Sequence, residues 1–345
     1  MTRPAPLDLA DYDYALPPER IAQQPTAERD AARLLALDRA TGACAHGAVA
    51  DLPRWLRAGD VLVVNATRVL PARLRGAKAT GGRVEALLLG PAASGRWRAL
   101  LRGGARPGTA LRFGIGPDAF DAAVEAVGDD GEVVLAIAPD VDPYRVGEAP
   151  LPPYIRRAAA CGADLGRYQT VFAREPGAIA APTAGLHLSE RLLAAIERAG
   201  VERAEVVLHV GVGTFRPLRD ADLAAARLHE ERFELPAATA AAIDRARARG
   251  RRVVAVGTTS ARVLETCAAE DGRVRAARGA TDLFLRPGSP FRVVDALLTN
   301  FHLPRSSLLL LVAAFAGRER VLAAYADAIA RGYRFYSYGD AMWIA

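Results

Sequence analysis

Four short segments carry the side chains of this chain that could do chemistry. Each places histidine, threonine, serine or asparagine beside glycine or proline at the end of an apolar stretch. The segments are residues 181–187, 208–215, 257–260 and 299–302. Their histidines are His187, His209 and His302. A neutral imidazole can donate and accept a proton near pH 7, so these histidines indicate hydrogen bonding or proton transfer. A buried, purely structural histidine is the alternative at each position.

Metal binding is another alternative for these histidines. None of them has a partner at a zinc spacing such as HExxH, and His229 beside Glu230 and Glu231 matches no common ligand pattern. We therefore expect no metal site.

Two glycine-containing turns suggest ligand binding. Gly257 precedes a predicted helix whose free N–H groups and positive dipole end would suit an anion, although simple capping by threonine and serine is the alternative. The Gly211-Val212-Gly213 turn resembles a dinucleotide or methyltransferase loop. That match is weak, because Phe215-Arg216-Pro217 follows where the fingerprint requires a helix.

The elements around residues 299–302 are the most clearly defined. An apolar run from residue 293 predicts a buried strand, and the apolar block 308–316 predicts a buried helix. Ser306 and Ser307 follow Pro304 as good N-cap residues, so the helix should begin there. Asn65–Arg68 likewise follow a predicted strand at 60–64, although an ordinary turn is the alternative. Because strand ends of an α/β sheet meet in one crevice, we expect the four segments to share a pocket.

The pattern along the chain predicts two kinds of architecture. Residues 70–150 contain short, mostly alternating apolar segments separated by glycine-rich turns, which indicates a small antiparallel barrel or sandwich. The rest alternates strands with helices, including helices at 189–199 and 237–249, a strand at 251–257 and a helix at 261–270. We predict an α/β main domain with a mixed, partly parallel sheet from residues 1–68 and 151–345. The inserted β-domain, a barrel or a sandwich, would span residues 69–150.

Composition restricts the class of protein. The chain has 345 residues and 51% hydrophobic residues, which favours a globular fold and argues against disorder. No signal-peptide pattern or membrane-length apolar run occurs, and three scattered cysteines fit reduced thiols in the cytoplasm. A net charge of +6 is compatible with a polyanionic partner. The oligomeric state is left open, with a monomer as the simplest expectation.

Nine stretches of the chain resemble the S-adenosylmethionine:tRNA ribosyltransferase-isomerase family of queuosine biosynthesis. The resemblance runs essentially end to end, and the blocks AAPTAGLH, HVGVGTF and TNFHLP in this order carry most of it. The other matching stretches include YDYALPPERIAQQP, GDVLVVNATRVLPARL, LPPYIRR, RYQTVFA, VVAVGTTSARVLE and YRFYSYGDAM. Ala66 departs from the family pattern, which has a polar residue after Asn65.

The resemblance implies an α/β domain with an inserted β-barrel, and it implies the reaction. The ribosyl part of S-adenosylmethionine would be transferred and isomerised onto the aminomethyl group of 7-aminomethyl-7-deazaguanine at the tRNA wobble position. Adenine and methionine would leave, and the product would be epoxyqueuosine. S-adenosylmethionine would be consumed as a substrate, and no cofactor is expected. The alternatives are an S-adenosylmethionine-dependent RNA methyltransferase and a noncatalytic RNA-binding module.

This reaction requires a base beside the sulfonium, an acid for departing adenine and a neutral substrate amine. Under this hypothesis His187, His209 and His302 are the catalytic groups. The substrate-binding candidates are Thr183, Gly185, Gly211, Gly213, Thr214, Thr258, Thr259, Ser260, Thr299 and Asn300. Bases of an anticodon loop can be splayed and stacked on aromatic or guanidinium planes, and phosphates attract basic residues. The RNA-binding candidates are Arg68, Arg73, Lys78, Tyr154, Arg156, Arg157 and Tyr168.

Overall fold

The first and last parts of the chain supply the strands of one large sheet. The computed structural model describes residues 7–157, 162–211, 213, 218 and 220–345. Before the barrel come β1 (Arg33–Leu37), β2 (Cys44–Ala48), β3 (Val61–Asn65) and β4 (Thr67–Val69). β3 agrees with the strand predicted at 60–64, and it is buried along its whole length, as expected for a strand covered on both faces.

The middle of the chain forms a closed antiparallel barrel, which is one of the two forms that the alternating segments predict. Its strands are β5 (Arg73–Lys78), β6 (Arg83–Ala93), β7 (Arg96–Arg102), β8 (Ala110–Phe113), β9 (Phe120–Val127) and β10 (Glu132–Ile137), joined in the order β10-β7-β6-β5-β8-β9. Alternate residues such as Phe120, Ala122 and Val124 point inward and pack around Leu74 and Phe113. Closure pairs every strand on both sides and leaves no free sheet edge.

The last part of the chain alternates strands and helices. Its strands are β11 (Glu175–Ala178), β12 (Glu202–Leu208), β13 (Arg227–Leu235), β14 (Val253–Val256), β15 (Ala277–Leu283), β16 (Ala296–Asn300) and β17 (Ala341–Ile344). Its helices are α1 (Gly162–Arg167), α2 (Glu190–Arg198), α3 (Asp220–Ala225), α4 (Ala237–Ala248), α5 (Gly257–Thr266), α6 (Ser307–Ala316) and α7 (Arg318–Ala330). Short 3-10 helices occupy Leu9–Tyr12, Pro18–Arg20, Arg29–Ala31, Val49–Arg54, Asp129–Gly131, Pro143–Val146 and Thr183–His187.

The main sheet is mixed, as predicted. Its order is β15-β13-β12-β3-β14-β16-β17-β1-β2, and the four adjacent strands β12, β3, β14 and β16 are parallel. β4 and β11 form a separate parallel pair. Among the residues described, no helix is long and apolar enough to cross a membrane.

Two helix starts matter for the site. The Ser306 hydroxyl accepts the backbone N–H of Leu309, so Ser306 caps α6, as predicted. α5 begins at Gly257 rather than at the predicted residue 261, so Thr258, Thr259 and Ser260 form its first turn. Gly257 has a φ of +84°, a left-handed conformation that glycine adopts with little cost.

Candidate functional site

The carboxyl ends of the four parallel strands meet at one edge of the sheet, and Asn65 joins β3 to the end of β12 and to the first turn of α5 there. Its amide N–H groups donate to the Leu208 carbonyl at 3.0 Å and the Thr259 hydroxyl at 3.1 Å. Its oxygen accepts the backbone N–H groups of Leu208 and Thr67. These partners fix the amide orientation, and the Thr259 hydroxyl accepts from Asn65, so its own proton is free to donate into the cavity next to it.

A cavity of about 550 Å³ opens at this edge. Six of the predicted catalytic and substrate-binding residues line it. They are Thr183, Thr258, Thr259, Thr299, Asn300 and His302. The rest of the cavity lining includes Tyr154, Leu308, Tyr336 and Ser337. Among the described residues no Asp, Glu, Lys or Arg lines this cavity, so we call it the neutral cavity.

Asn300 is the centre of a buried hydrogen-bond network. Its amide nitrogen donates to the Tyr336 carbonyl at 3.1 Å and to His187 Nε2 at 3.0 Å, and its oxygen accepts from the Thr183 hydroxyl at 3.0 Å. A carbonyl can only accept, so the amide orientation is fixed. It follows that His187 carries its proton on Nδ1 and that Thr183 presents lone pairs to the neutral cavity.

His302 is the histidine that lines the neutral cavity. Its Nε2 lies 2.9 Å from the Thr299 hydroxyl, and its backbone N–H donates to the Tyr325 hydroxyl. Complete burial lowers the pKa of His302 to about 3, because an imidazolium there would lose its hydration. The ring is therefore neutral at pH 7.

The three histidines do not share one cavity, contrary to our expectation. His187 lines a separate cavity, and its pKa falls to about 4 because of burial and the nearby Arg334 and Arg29. His209 faces a third cavity beside β13 and β15, and its Nδ1 lies 2.9 Å from the Thr67 hydroxyl. Burial also lowers the pKa of His209. The strands end at a common edge, but their side chains point to different sides of it.

The other predicted binding residues have mainly packing contacts. Ser260 is fully buried and donates to the Val256 carbonyl, and Gly185 packs closely against Thr170 and Phe172. The Gly211 N–H donates to Glu231, and Gly213 packs against His229. Thr214 lies outside the described residues.

The RNA-binding candidates fall into three groups. Arg68 and Arg156 are exposed, and Lys78 is half-buried. Arg73 donates to the Leu151 carbonyl, and Arg157 pairs with Asp164 at 3.1 Å. Tyr154 is at the neutral cavity and packs edge-on against Tyr336, whereas Tyr168 is 1% exposed and leaves no ring face for a base.

Asn65, Thr67 and Ser337 are the site residues that sequence reasoning did not select. The polar break after β3 was visible, but a turn explained it equally well. Ser337 contacts Tyr154 through its hydroxyl, within the YRFYSYGDAM stretch. Within the described part of the chain, no group of three or more His, Cys, Asp or Glu residues could hold a metal ion.

Comparisons with known proteins identify the family of this chain. The family model "Queuosine biosynthesis protein" matches residues 9–344. A curated S-adenosylmethionine:tRNA ribosyltransferase-isomerase of Anaeromyxobacter dehalogenans is 53% identical over 97% of this chain and 98% of its own. The protein of that name from Moorella thermoacetica is 51% identical over 97% and 99%.

A solved structure is also similar. The S-adenosylmethionine tRNA ribosyltransferase of Thermotoga maritima has a TM-score of 0.56 and 37% identity, covering 97% of this chain and 100% of that one. The match includes both the main sheet and the barrel region. By the extent of these similarities, the chain belongs to the S-adenosylmethionine:tRNA ribosyltransferase-isomerase family of queuosine biosynthesis.

Proposed function

We propose that this chain is the enzyme that transfers and isomerises the ribosyl moiety of S-adenosylmethionine onto 7-aminomethyl-7-deazaguanine at the tRNA wobble position. The products are epoxyqueuosine in tRNA, adenine and methionine. The neutral cavity is the observation that supports the proposal best. Its polar groups converge on a largely apolar space, as they do in small-molecule sites.

The absence of lining charge suits the substrate amine. An aliphatic ammonium in water has a pKa near 10, as lysine does, and would be mostly protonated. Moving it into a cavity with no carboxylate among the described lining residues favours the uncharged amine, because burial penalises the charged form. The cationic sulfonium bound beside the amine would also disfavour its protonated form, because two positive charges repel each other. The neutral cavity would therefore keep the nucleophile in its reactive form.

The start of α5 is the place proposed for the methionine carboxylate. Val256 provides no side-chain cap, and the first N–H groups of a helix have no partner within the helix. Thr258 and Thr259 in this first turn line the neutral cavity. The helix dipole would favour an anion there. The carboxylate would thus fix one end of S-adenosylmethionine while the reacting groups lie near His302.

We assign different roles to the three histidines. His302 touches the neutral cavity and, as a neutral imidazole, is placed to take the proton beside the sulfonium. An imidazolium with so low a pKa is a strong acid, so it could pass that proton to departing adenine. His187 and His209 are positioning residues. His187 orients Asn300 through their hydrogen bond, and His209 orients Thr67 in the same way.

The proposed RNA surface combines basic residues with aromatic rings of the neutral cavity. Arg68 and Arg156 are exposed, and together with Lys78 they would contact phosphates. Tyr154 and Tyr336 offer rings on which a splayed base could stack.

We propose that the protein acts in the cytoplasm, where tRNA is modified, and that one chain forms the site. The proposed division into residues 69–150 and the remainder is supported by the closure of β5–β10.

Product analysis tests the function. The protein is incubated with S-adenosylmethionine and tRNA carrying the deazaguanine precursor, and the small molecules are identified. Adenine and methionine in equal amounts are expected. Production of S-adenosylhomocysteine would instead indicate a methyltransferase, and tRNA binding without any product would indicate a noncatalytic module.

Replacement of Asn300 tests the site. In Asn300→Asp the carboxylate cannot donate to His187 Nε2 or to the Tyr336 carbonyl, so each group loses a partner at about 1–3 kcal/mol. Single-turnover rates should fall about 10²-fold or more, within the range for a misplaced acid–base group. A fully active Asn300→Asp enzyme would contradict the role of this network. Thr281→Val is the control, because Thr281 is buried but lies away from the neutral cavity.

A further inference from the structure

A second, smaller cavity adjoins the neutral cavity, and two arginines line it. We call it the arginine cavity, and its volume is about 260 Å³. Its lining includes Arg29, Arg167, His187, Ser337 and Tyr338. Ser337 lines both cavities. The arginine cavity is the smaller of the two, so it suits a small group rather than a whole nucleoside.

Backbone carbonyls hold the two guanidinium groups in place. Arg29 donates to the carbonyls of Leu186 at 3.2 Å and Gly166 at 3.0 Å. Arg167 donates to the carbonyls of Ala27 at 2.9 Å and Thr26. A guanidinium has five N–H groups, so each arginine keeps donors beyond these contacts. The side chains are thus fixed in position with hydrogen-bonding capacity left over.

Two buried polar groups at this cavity have no hydrogen-bond partner in the described part of the chain. The Arg167 Nε and the Tyr338 hydroxyl are buried and make no hydrogen bond to any described residue, and Tyr338 is 3% exposed. Buried donors left unpaired cost free energy, so such groups call for a ligand or ordered water. Both groups can donate to an oxygen acceptor.

Positive charge at the arginine cavity is not balanced by a lining carboxylate. Among the residues described, no Asp or Glu lines it. Asp164, which acts on Tyr338, is already paired with Arg157. Burial and the neighbouring Arg167 lower the pKa of Arg29, as expected when two cations approach each other. An anion between them would remove this repulsion.

We propose that the arginine cavity binds one backbone phosphate of the substrate RNA, beside the nucleotide whose base enters the neutral cavity. Arginine forks match phosphate oxygens in a bidentate manner, and phosphate contacts fix the register of a nucleic acid on a protein. Through Ser337, and through His187 and Asn300, the bound phosphate adjoins the wall of the neutral cavity. The proposal rests on the proposed function for the identity of the RNA.

The test measures binding of an anticodon stem-loop carrying the deazaguanine precursor, without S-adenosylmethionine. Each phosphate flanking the wobble nucleotide is replaced in turn by an uncharged methylphosphonate. The variants are Arg29→Gln, Arg167→Gln and the double variant, because glutamine can still donate to the bracing carbonyls. Arg198→Gln is the control; Arg198 is exposed at the end of α2 and loses the same charge.

One flanking methylphosphonate should weaken wild-type binding about tenfold and leave the double variant's binding unchanged, since both changes remove the same contact. The double variant should reduce the slope of log affinity against log salt by about 0.7, the value for one contact to a single strand. Arg198→Gln should behave as wild type in the methylphosphonate comparison.

Three outcomes would overturn the proposal. The first is wild-type binding that is indifferent to both flanking phosphates, which requires no variant to fold. The second is a double variant that loses thermal stability but keeps its RNA affinity. That result would mean that the two arginines only stabilise the fold. The third is lost affinity for S-adenosylmethionine with unchanged RNA affinity, which would assign the cavity to a carboxylate. Because these are binding measurements, failure of the product assay would be seen separately.

Discussion

At the scale of single residues, buried neutral imidazoles dominate the chemistry of this protein. His187 and His302 are each 4% exposed, and their pKa values of about 4 and about 3 lie well below the ordinary value. Each ring has one identified hydrogen-bond partner on Nε2, from Asn300 or Thr299. Such rings serve better as oriented acceptors and proton carriers than as permanently charged groups.

These two histidines predict how stability depends on pH. In the unfolded chain they would titrate near pH 6.5, so between about pH 6.5 and 4 the unfolded state binds more protons. The free energy of unfolding should have its full value above pH 6.5. Below that pH it should fall by up to about 1.4 kcal/mol per pH unit for each histidine. Urea unfolding between pH 7 and 5 measures this slope. His302→Gln and His187→Gln should each remove one histidine's share, and unchanged slopes in both variants would contradict the burial argument.

At the scale of elements, the start of α5 is the feature that shapes the neutral cavity. Gly257 ends the turn from β14 in a left-handed conformation, and a Cβ there would contact Ala184 at 3.4 Å. Both Gly257 and Ala184 line the cavity. The backbone conformation at one residue therefore sets the position of the N–H groups proposed to hold the carboxylate.

Gly257→Ala and Gly250→Ala form a matched pair to test this element. Gly250 also has a positive φ, +64°, but a Cβ there meets nothing within 4 Å, and it follows α4 away from the neutral cavity. Each substitution should destabilise the protein by about 1–2 kcal/mol, the cost of a left-handed non-glycine residue. Only Gly257→Ala should also weaken S-adenosylmethionine binding, measured by calorimetry. Equal affinities in both variants would remove α5 from the binding site.

At the scale of the whole molecule, the arginines are of two kinds. Some stabilise the fold through hydrogen bonds and ion pairs, and others are exposed to solvent. Arg73 on β5 donates to the Leu151 carbonyl and lies 3.8 Å from Glu85, with its side chain 16% exposed. Arg68 on β4 is exposed near the site edge. A net charge of +6 alone does not distinguish the two kinds.

Arg68→Gln and Arg73→Gln should therefore have different effects. Arg68→Gln should flatten the salt dependence of tRNA binding by about one phosphate contact and leave stability unchanged. Arg73→Gln should lower the free energy of unfolding by about 1–3 kcal/mol, because it weakens a hydrogen bond from a charged group. Salt titrations of tRNA affinity and urea unfolding separate the two. A steeper loss of RNA affinity in Arg73→Gln than in Arg68→Gln would reverse the assignment.

The sequence by itself determined the mixed sheet, an inserted antiparallel β-domain and the helix cap at Ser306. These follow from local periodicity and turn chemistry, which each stretch carries within a few residues. It also selected six residues of the neutral cavity, because hydroxyls and amides at strand ends are visible as breaks in apolar runs.

Only the tertiary structure decided which way those side chains point. His187 accepts from Asn300 and lines the arginine cavity, and Thr67 contacts His209 beside a third cavity. The arginine cavity joins residues 29 and 167, whose proximity depends on contacts between distant parts of the chain. A strand end fixes a residue's place at the sheet edge, but the side-chain direction there depends on partners from other elements, which no local pattern encodes.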